Sequence, residues 1–248
     1  MSLLTAERIK LFSTRAPWWC TALAIVASLG FAVVFVIFGG DEIPVTVSNT
    51  QTASSFGLTV ILVLAVLAAA TEYNWGTIRT TYQAVPKRAP ALLAKAVVVS
   101  LWCGLVGLVI GFGSWGLGVL LKPDADLALN SAADWRAVAG QGLVFLFTGV
   151  LGVAVGMLLR STALALAVTL VWTQLVEGLV FLIPGIGRDI YEWLPFFSAG
   201  QFIGGGLTAS ALNLGELPLG PLGYGAYYAS ICVILFVIGV VMNQVRDA

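Results

Sequence analysis

Six long apolar runs separated by polar intervals set the pattern of this chain: residues 18–38, 52–70, 96–121, 137–159, 162–183 and 224–242. At 1.5 Å of helical rise per residue, each reaches roughly across the ~30 Å hydrocarbon core of a bilayer. Inside that layer the backbone must satisfy its own hydrogen bonds. The pattern therefore predicts an all-α integral membrane protein with six transmembrane helices in a single domain, 1–248. The first run outlasts the roughly 7–15 apolar residues of a signal-peptide core and ends in no small-residue cleavage site. It reads as a span, with no cleavable targeting peptide and no second domain expected.

The polar intervals differ in kind. Residues 1–17 hold Arg8, Lys10 and Arg15, while Leu4, Leu11 and Trp18 recur at seven with the arginines on the same side. This imperfect amphipathic face predicts an interfacial helix whose arginines snorkel past the headgroups. The longest interval, 71–95 (TEYNWGTIRTTYQAVPKRAPALLAK), holds Arg79, Lys87, Arg88 and Lys95. Within it, Gly76 and Pro86 bracket a short helix, 77–85, on which Ile78, Tyr82 and Val85 share one face. That stripe either docks a soluble partner or packs back onto the flanking helices. Residues 184–223 are too broken by Gly and Pro to span. With Trp193, Phe196, Phe197 and Phe202 they are too apolar for a solvated loop. Short helices that dip into the outer leaflet and return fit this composition, provided protein covers their backbone.

Charge orients the pattern. Nine basic residues (Arg8, Lys10, Arg15, Arg79, Lys87, Arg88, Lys95, Arg160 and Arg246) fall in alternate intervals, and only Lys122, Arg136 and Arg188 fall in the others. The positive-inside rule then places both termini and 71–95 in the cytoplasm and 184–223 outside.

Small residues add a packing expectation. In the third run Ser100, Gly104, Gly107, Gly111, Ser114 and Gly118 are spaced by 4, 3, 4, 3 and 4, one smooth stripe down a helix. Small residues permit close backbone approach in lipid. Gly142, Gly149, Gly152 and Gly156 repeat the theme in the fourth run, a candidate partner.

Composition narrows the chemistry. The chain is 59% hydrophobic and 10% charged, against roughly 25% charged for a soluble domain. Its zero net charge argues against nucleic acid as a partner. There is no histidine, which removes the commonest general base and metal ligand. Cys20, Cys103 and Cys232 lie in apolar runs without CxxC spacing and read as small hydrophobes. No GxxxxGK[ST] or GxSxG motif occurs, so no Walker loop or serine-hydrolase elbow is expected. Gly204-Gly205-Gly206 reads as a hinge or packing element. Glu177 is the ionisable residue inside a run, at a cost of about 2.5–3.5 kcal/mol on insertion scales if charged near mid-membrane. Gln174 shares its face. The pair lines a substrate path or a subunit interface, or else Glu177 is protonated or bonded to a helix backbone in a structural role.

These features resemble the permease subunits of bacterial ATP-binding-cassette exporters of the type-2 family, over nearly the whole length. The local signature is Glu72 closing the second run, then Gly76-Thr77-Ile78-Arg79, Pro86-Lys87-Arg88 and Lys95. The Glu-Arg-Ile-Lys run from Glu7 to Lys10 is similar to the family's amphipathic leading helix. The resemblance implies a half-transporter that pairs with a second permease subunit, as a homodimer or heterodimer, in the bacterial cytoplasmic membrane. It implies an ATPase subunit, separate from this chain, docking at a coupling helix through Glu72, Thr77, Ile78, Arg79, Tyr82 and Val85. ATP and magnesium would be bound by that subunit; no cofactor, metal or catalytic residue is expected here, so the chain is not itself an enzyme. The broken segment, with Trp193, Phe196, Phe197 and Phe202, would form an outer gate. The turn at Arg160-Ser161 is too short for a large second docking element. The implied function is export of an apolar or amphipathic substrate (a drug, peptide antibiotic or lipid-like molecule). The alternative is a self-contained secondary carrier or channel, for which one carboxylate without a basic partner makes a poor relay.

Overall fold

The apolar runs fold as helices. The computed structural model describes residues 3–38, 45–84, 88–205 and 217–245, apart from the side chains of Arg79, Tyr82 and Ala84. Helix α1 (Leu3–Ser13) leads into α2 (Ala16–Phe38). A short turn, α3 (Val47–Thr50), precedes α4 (Ser54–Asn74), α5 (Thr77–Ala84) and α6 (Arg88–Leu121). Then follow α7 (Ala132–Leu159), α8 (Thr162–Val180), α9 (Gly187–Tyr191), α10 (Pro195–Phe202) and α11 (Pro221–Val245). Among the described residues, six helices (α2, α4, α6, α7, α8 and α11) are long and apolar enough to cross a membrane. The chain is a multi-pass, all-helical membrane protein. Val85 and residues 206–216 of the expected outer hairpin lie outside the described residues.

Local signals explain the element ends. Ser131 and Asp134 form a reciprocal capping box at the start of α7: Ser131 Oγ accepts from the Asp134 N–H at 3.1 Å, and Asp134 Oδ2 accepts from the Ser131 N–H at 2.9 Å. Two orphan donors are thereby satisfied. At the other end Arg160 turns the chain with φ 53°, the left-handed conformation usual for glycine. Its guanidinium donates to Asn243 Oδ1 at 2.9 Å and lies over the Tyr73 ring, contacts that offset the backbone cost. Helix α6 starts eight residues before the apolar run. Pro90 falls in its first turn, where a missing N–H costs nothing. Lys95 therefore belongs to a helix and is buried, not a loop residue as the pattern predicts.

The bundle is built around α7, which packs on α6, α4 and α11. All six small residues of the α6 stripe are buried. A Cβ on Gly107 would lie 2.6 Å from Phe145 Cβ, and one on Gly111 would lie 2.5 Å from the Val138 carbonyl oxygen, so the backbones of α6 and α7 nearly touch. Gly118 instead faces Thr50 and Leu127. The α7 glycines divide between two neighbours. Gly142 and Gly149 face Leu108 and Ser100 of α6, while Gly152 and Gly156 face Ala65 and Ala69 of α4. Helices α2, α8 and α11 are the least buried spans and form the rim.

Candidate functional site

Two polar sites lie at opposite ends of the bundle. At the first, Lys95 of α6 sits between two carboxylates: Nζ is 2.6 Å from Glu7 Oε2 and 2.8 Å from Glu72 Oε1. Lys10 completes a neutral quartet, 2.7 Å from Glu7 Oε1 and 3.4 Å from Glu72 Oε1. Glu7, Glu72 and Lys95 are 6%, 12% and 7% exposed, while Lys10 is 40% exposed. Burial alone would raise the Glu7 carboxyl, but the Lys95 and Lys10 ammonium groups outweigh it and hold it below its ordinary value. Burial likewise opposes the charge of Lys10. Its hydrogen bond to Glu7 and the charge of Glu72 prevail, and the ammonium is raised. The quartet ties α1 to α4 and α6.

Helix α5 is fastened to this assembly. Lys10 Nζ donates to Thr81 Oγ1 at 3.0 Å, and Ile78 is buried at 4% exposure. Ile78 thus faces the bundle, where its apolar side chain is covered by its own chain. Glu72 lies in the last turn of α4, and its carboxylate is paired within the chain. Thr77, Thr80 and Gln83 are exposed along α5, and Trp75 is 72% exposed in the turn before it. The side chains of Arg79 and Tyr82, and the whole of Val85, lie outside the described residues. A cavity of about 410 Å³ separates the quartet, Trp75 and Thr80 from apolar side chains of α4 and α6.

The same end holds a second tie. Asn243 near the end of α11 accepts from Tyr73 Oη and Arg160 Nη2, both at 2.9 Å, and its backbone carbonyl accepts from Arg88 Nη1 at 2.9 Å. Its amide donates to the Gly239 and Met157 carbonyls. Both described chain ends therefore lie at one end of the bundle, joined to α4, α6 and α7.

At the opposite end, α8 contains a wide π-turn, Trp172–Val176. Such turns re-aim side chains and are frequent at functional sites. Glu177 follows it and is buried, whereas Gln174 is exposed on the helix itself. The Glu177 carboxyl group accepts from the Phe196 N–H at 3.1 Å, the Phe197 N–H at 3.2 Å and Trp172 Nε1 at 3.2 Å. It closes the first turn of α10, and Arg136 Nε donates to the Phe202 carbonyl at 2.8 Å at the last turn. Acceptor at the N-terminus and cation at the C-terminus both match the helix dipole. Of the residues expected at an outer gate, Phe196 and Phe197 supply these N–H groups. The Phe202 ring fills the space beside Gly140 and Gly225. Trp193 stays 43% exposed, edge-on to Tyr227.

Gln174 and Glu177 do line one cavity, of about 460 Å³, bounded by α4, α7, α8 and α10. Three further residues there, Gln51, Gln141 and Gln201, escape a search of the sequence for ionisable groups because amides carry no charge. A polar residue inside an apolar run, as Gln141 is, was the available signal. The quartet was legible only in part: Glu72 and Lys95 stand out, but nothing in spacing pairs them with Glu7. The chain matches no protein-family model and no curated protein.

Proposed function

We propose that this chain is the membrane-spanning permease subunit of an ATP-binding-cassette exporter, working with a separate ATPase subunit and a second permease copy or homologue in the bacterial cytoplasmic membrane. The observation that carries the reading is α5. It is a short helix between two spans, latched to the bundle by Ile78 and Lys10–Thr81, with Thr77, Thr80 and Gln83 left outward. A helix held this way moves with α1, α4 and α6, so force applied to its outer face reaches three helices at once. Trp75 and Tyr82 are the proposed anchors for the ATPase, because buried aromatics dominate such interfaces. The nine-to-three division of basic residues supports a cytoplasmic position for this end. Helix α10, capped by Glu177 and Arg136, forms with α9 the gate on the other side.

The test is purification of the tagged full-length chain from its native membrane, followed by ATP-turnover and transport assays in vesicles. A P-loop ATPase should co-purify and drive export, and Trp75→Ala or Tyr82→Ala should weaken its retention by roughly thirtyfold for about 2 kcal/mol. Transport by the chain alone, without any ATPase, would assign it to the carriers or channels instead.

A further inference from the structure

Glutamine is scarce in this chain, and its placement is not even: four of its six glutamines line the single cavity beside Glu177. They arrive from four separate places. Gln51 lies in the turn before α4, Gln141 in α7, Gln174 in the π-turn and Gln201 in α10. Gln51 and Gln141 are 3% and 1% exposed, and each keeps one atom without a hydrogen-bond partner: the acceptor Gln51 Oε1 and the donor Gln141 Nε2. A buried polar atom left this way costs about 1–3 kcal/mol, so both are poised for a partner that a small side-chain rotation would meet.

Hydroxyls complete the wall in a particular sense. Ser55, Thr59 and Thr173 donate their protons to the carbonyls of Thr52, Ser55 and Thr169. What they turn toward the cavity is therefore oxygen lone pairs. Among the described residues no lysine or arginine lines the space, so an anion would find no counter-charge there. Among the described lining residues the only acid, Glu177, already accepts from three donors, and Gln141 Nε2 repels a cation. What remains is an uncharged, donor-rich group. Phe56, Tyr191 and Phe196 add flat apolar faces suited to C–H surfaces.

We propose that this cavity binds a neutral, hydroxyl- or amide-rich group, the head of an uncharged glycolipid-like amphipath or a free polyol of the same chemistry. The inference rests on the exporter reading in that it names the polar half of the amphipathic substrate.

Its test needs no ATPase. The full-length chain is placed in nanodiscs holding equal fractions of monoglucosyl diacylglycerol, phosphatidylcholine and phosphatidylglycerol, and the lipid retained is read by native mass spectrometry. The glucolipid should be retained about tenfold over phosphatidylglycerol, a ratio within reach of two or three new hydrogen bonds. Gln174→Leu, on an exposed wall position, and Gln141→Leu should each lower that preference about fivefold. Gln244→Leu, exposed at the far end of α11, should leave it unchanged. Displacement by free maltose identifies the soluble form as sufficient, and resistance to maltose identifies the lipid-borne form; either upholds the neutral ligand. Equal retention of all three lipids, a preference for either phospholipid, or a preference that survives Gln174→Leu overturns the proposal. That failure would leave ATPase docking untouched, just as failed ATPase co-purification would leave this binding result standing.

Discussion

The two ends of the bundle solve the same problem, polar groups next to lipid, in opposite ways. At the Lys95 end, four charges neutralise one another and join α1, α4 and α6, with α5 tied on through Thr81. At the Glu177 end, uncharged amides and hydroxyls surround a cavity, and one carboxyl group bonds to backbone N–H groups of a short helix. Paired charges are rigid because separating them is costly. A cavity walled by amides has many arrangements of similar energy. In the proposed exporter, the difference would suit one end to transmitting force and the other to admitting a ligand.

The largest effect is expected where the rigid end loses its centre. Lys95→Met leaves Glu7 and Glu72 buried without their shared cation and should cost about 3–5 kcal/mol, read as a fall in melting temperature. Combining it with Glu7→Gln and Glu72→Gln should return most of that loss, since an uncharged set removes the unpaired acids. Lys10→Met should cost less than about 1 kcal/mol, because that lysine is the most exposed member of the quartet and Lys95 still pairs both acids. Equal losses for Lys95→Met and Lys10→Met would contradict the hierarchy.

Next come the helices that connect the two ends. Gly107→Leu should disrupt the α6–α7 seam by several kcal/mol, because even its Cβ meets Phe145 and Gln141 closer than van der Waals contact. Gly116→Ala has nothing within 4 Å and should be neutral or stabilise the helix by up to about 1 kcal/mol. Wild-type yield and melting temperature for Gly107→Leu would mean the helices do not meet there.

A smaller change should follow at the soft end. Glu177→Leu removes the acceptor for Phe196, Phe197 and Trp172, about 1–3 kcal/mol, and should speed amide exchange in α10. Glu177→Gln, which keeps one acceptor oxygen, should do less. Unchanged exchange in both variants would remove Glu177 as the clamp of that helix.

Much of this architecture is written in the apolar runs, because a helix across lipid is forced by backbone hydrogen bonding. The stripe from Ser100 to Gly118 was equally legible, since six residues in register leave a visible groove. What escaped was pairing. Glu7 and Lys95 are 88 positions apart, and no local spacing announces a contact at that range. Ile78 points inward because of how its neighbours pack, which periodicity alone does not fix. Gln174 and Glu177 have the spacing of one helical face, but the π-turn between Trp172 and Val176 breaks that count.

The smallest predicted effect is that of pH. Glu7 has its carboxyl lowered by Lys95 and Lys10, so its stabilisation is complete above the ordinary glutamate value of about 4.3. It fades as pH falls through the lowered folded value. Lys10 is raised, so its contribution holds below about 10.4 and fades as pH rises through the raised folded value. Protection of the α1 amides, taken as exchange relative to the intrinsic rate at each pH, should therefore be flat near neutrality and fall only below about pH 4.3 or above about pH 10.4. A fall in that protection between pH 6 and 8 would contradict the quartet.

The division of labour between the ends is tested most directly by photocrosslinking in native membranes. A photoreactive residue replaces Thr80, on the outward face of α5, or Thr52, beside the amide-lined cavity. An adduct with a P-loop ATPase subunit from position 80, and none from position 52, is the result this account predicts. An ATPase adduct from position 52, or from neither position while the chain still transports, would contradict it.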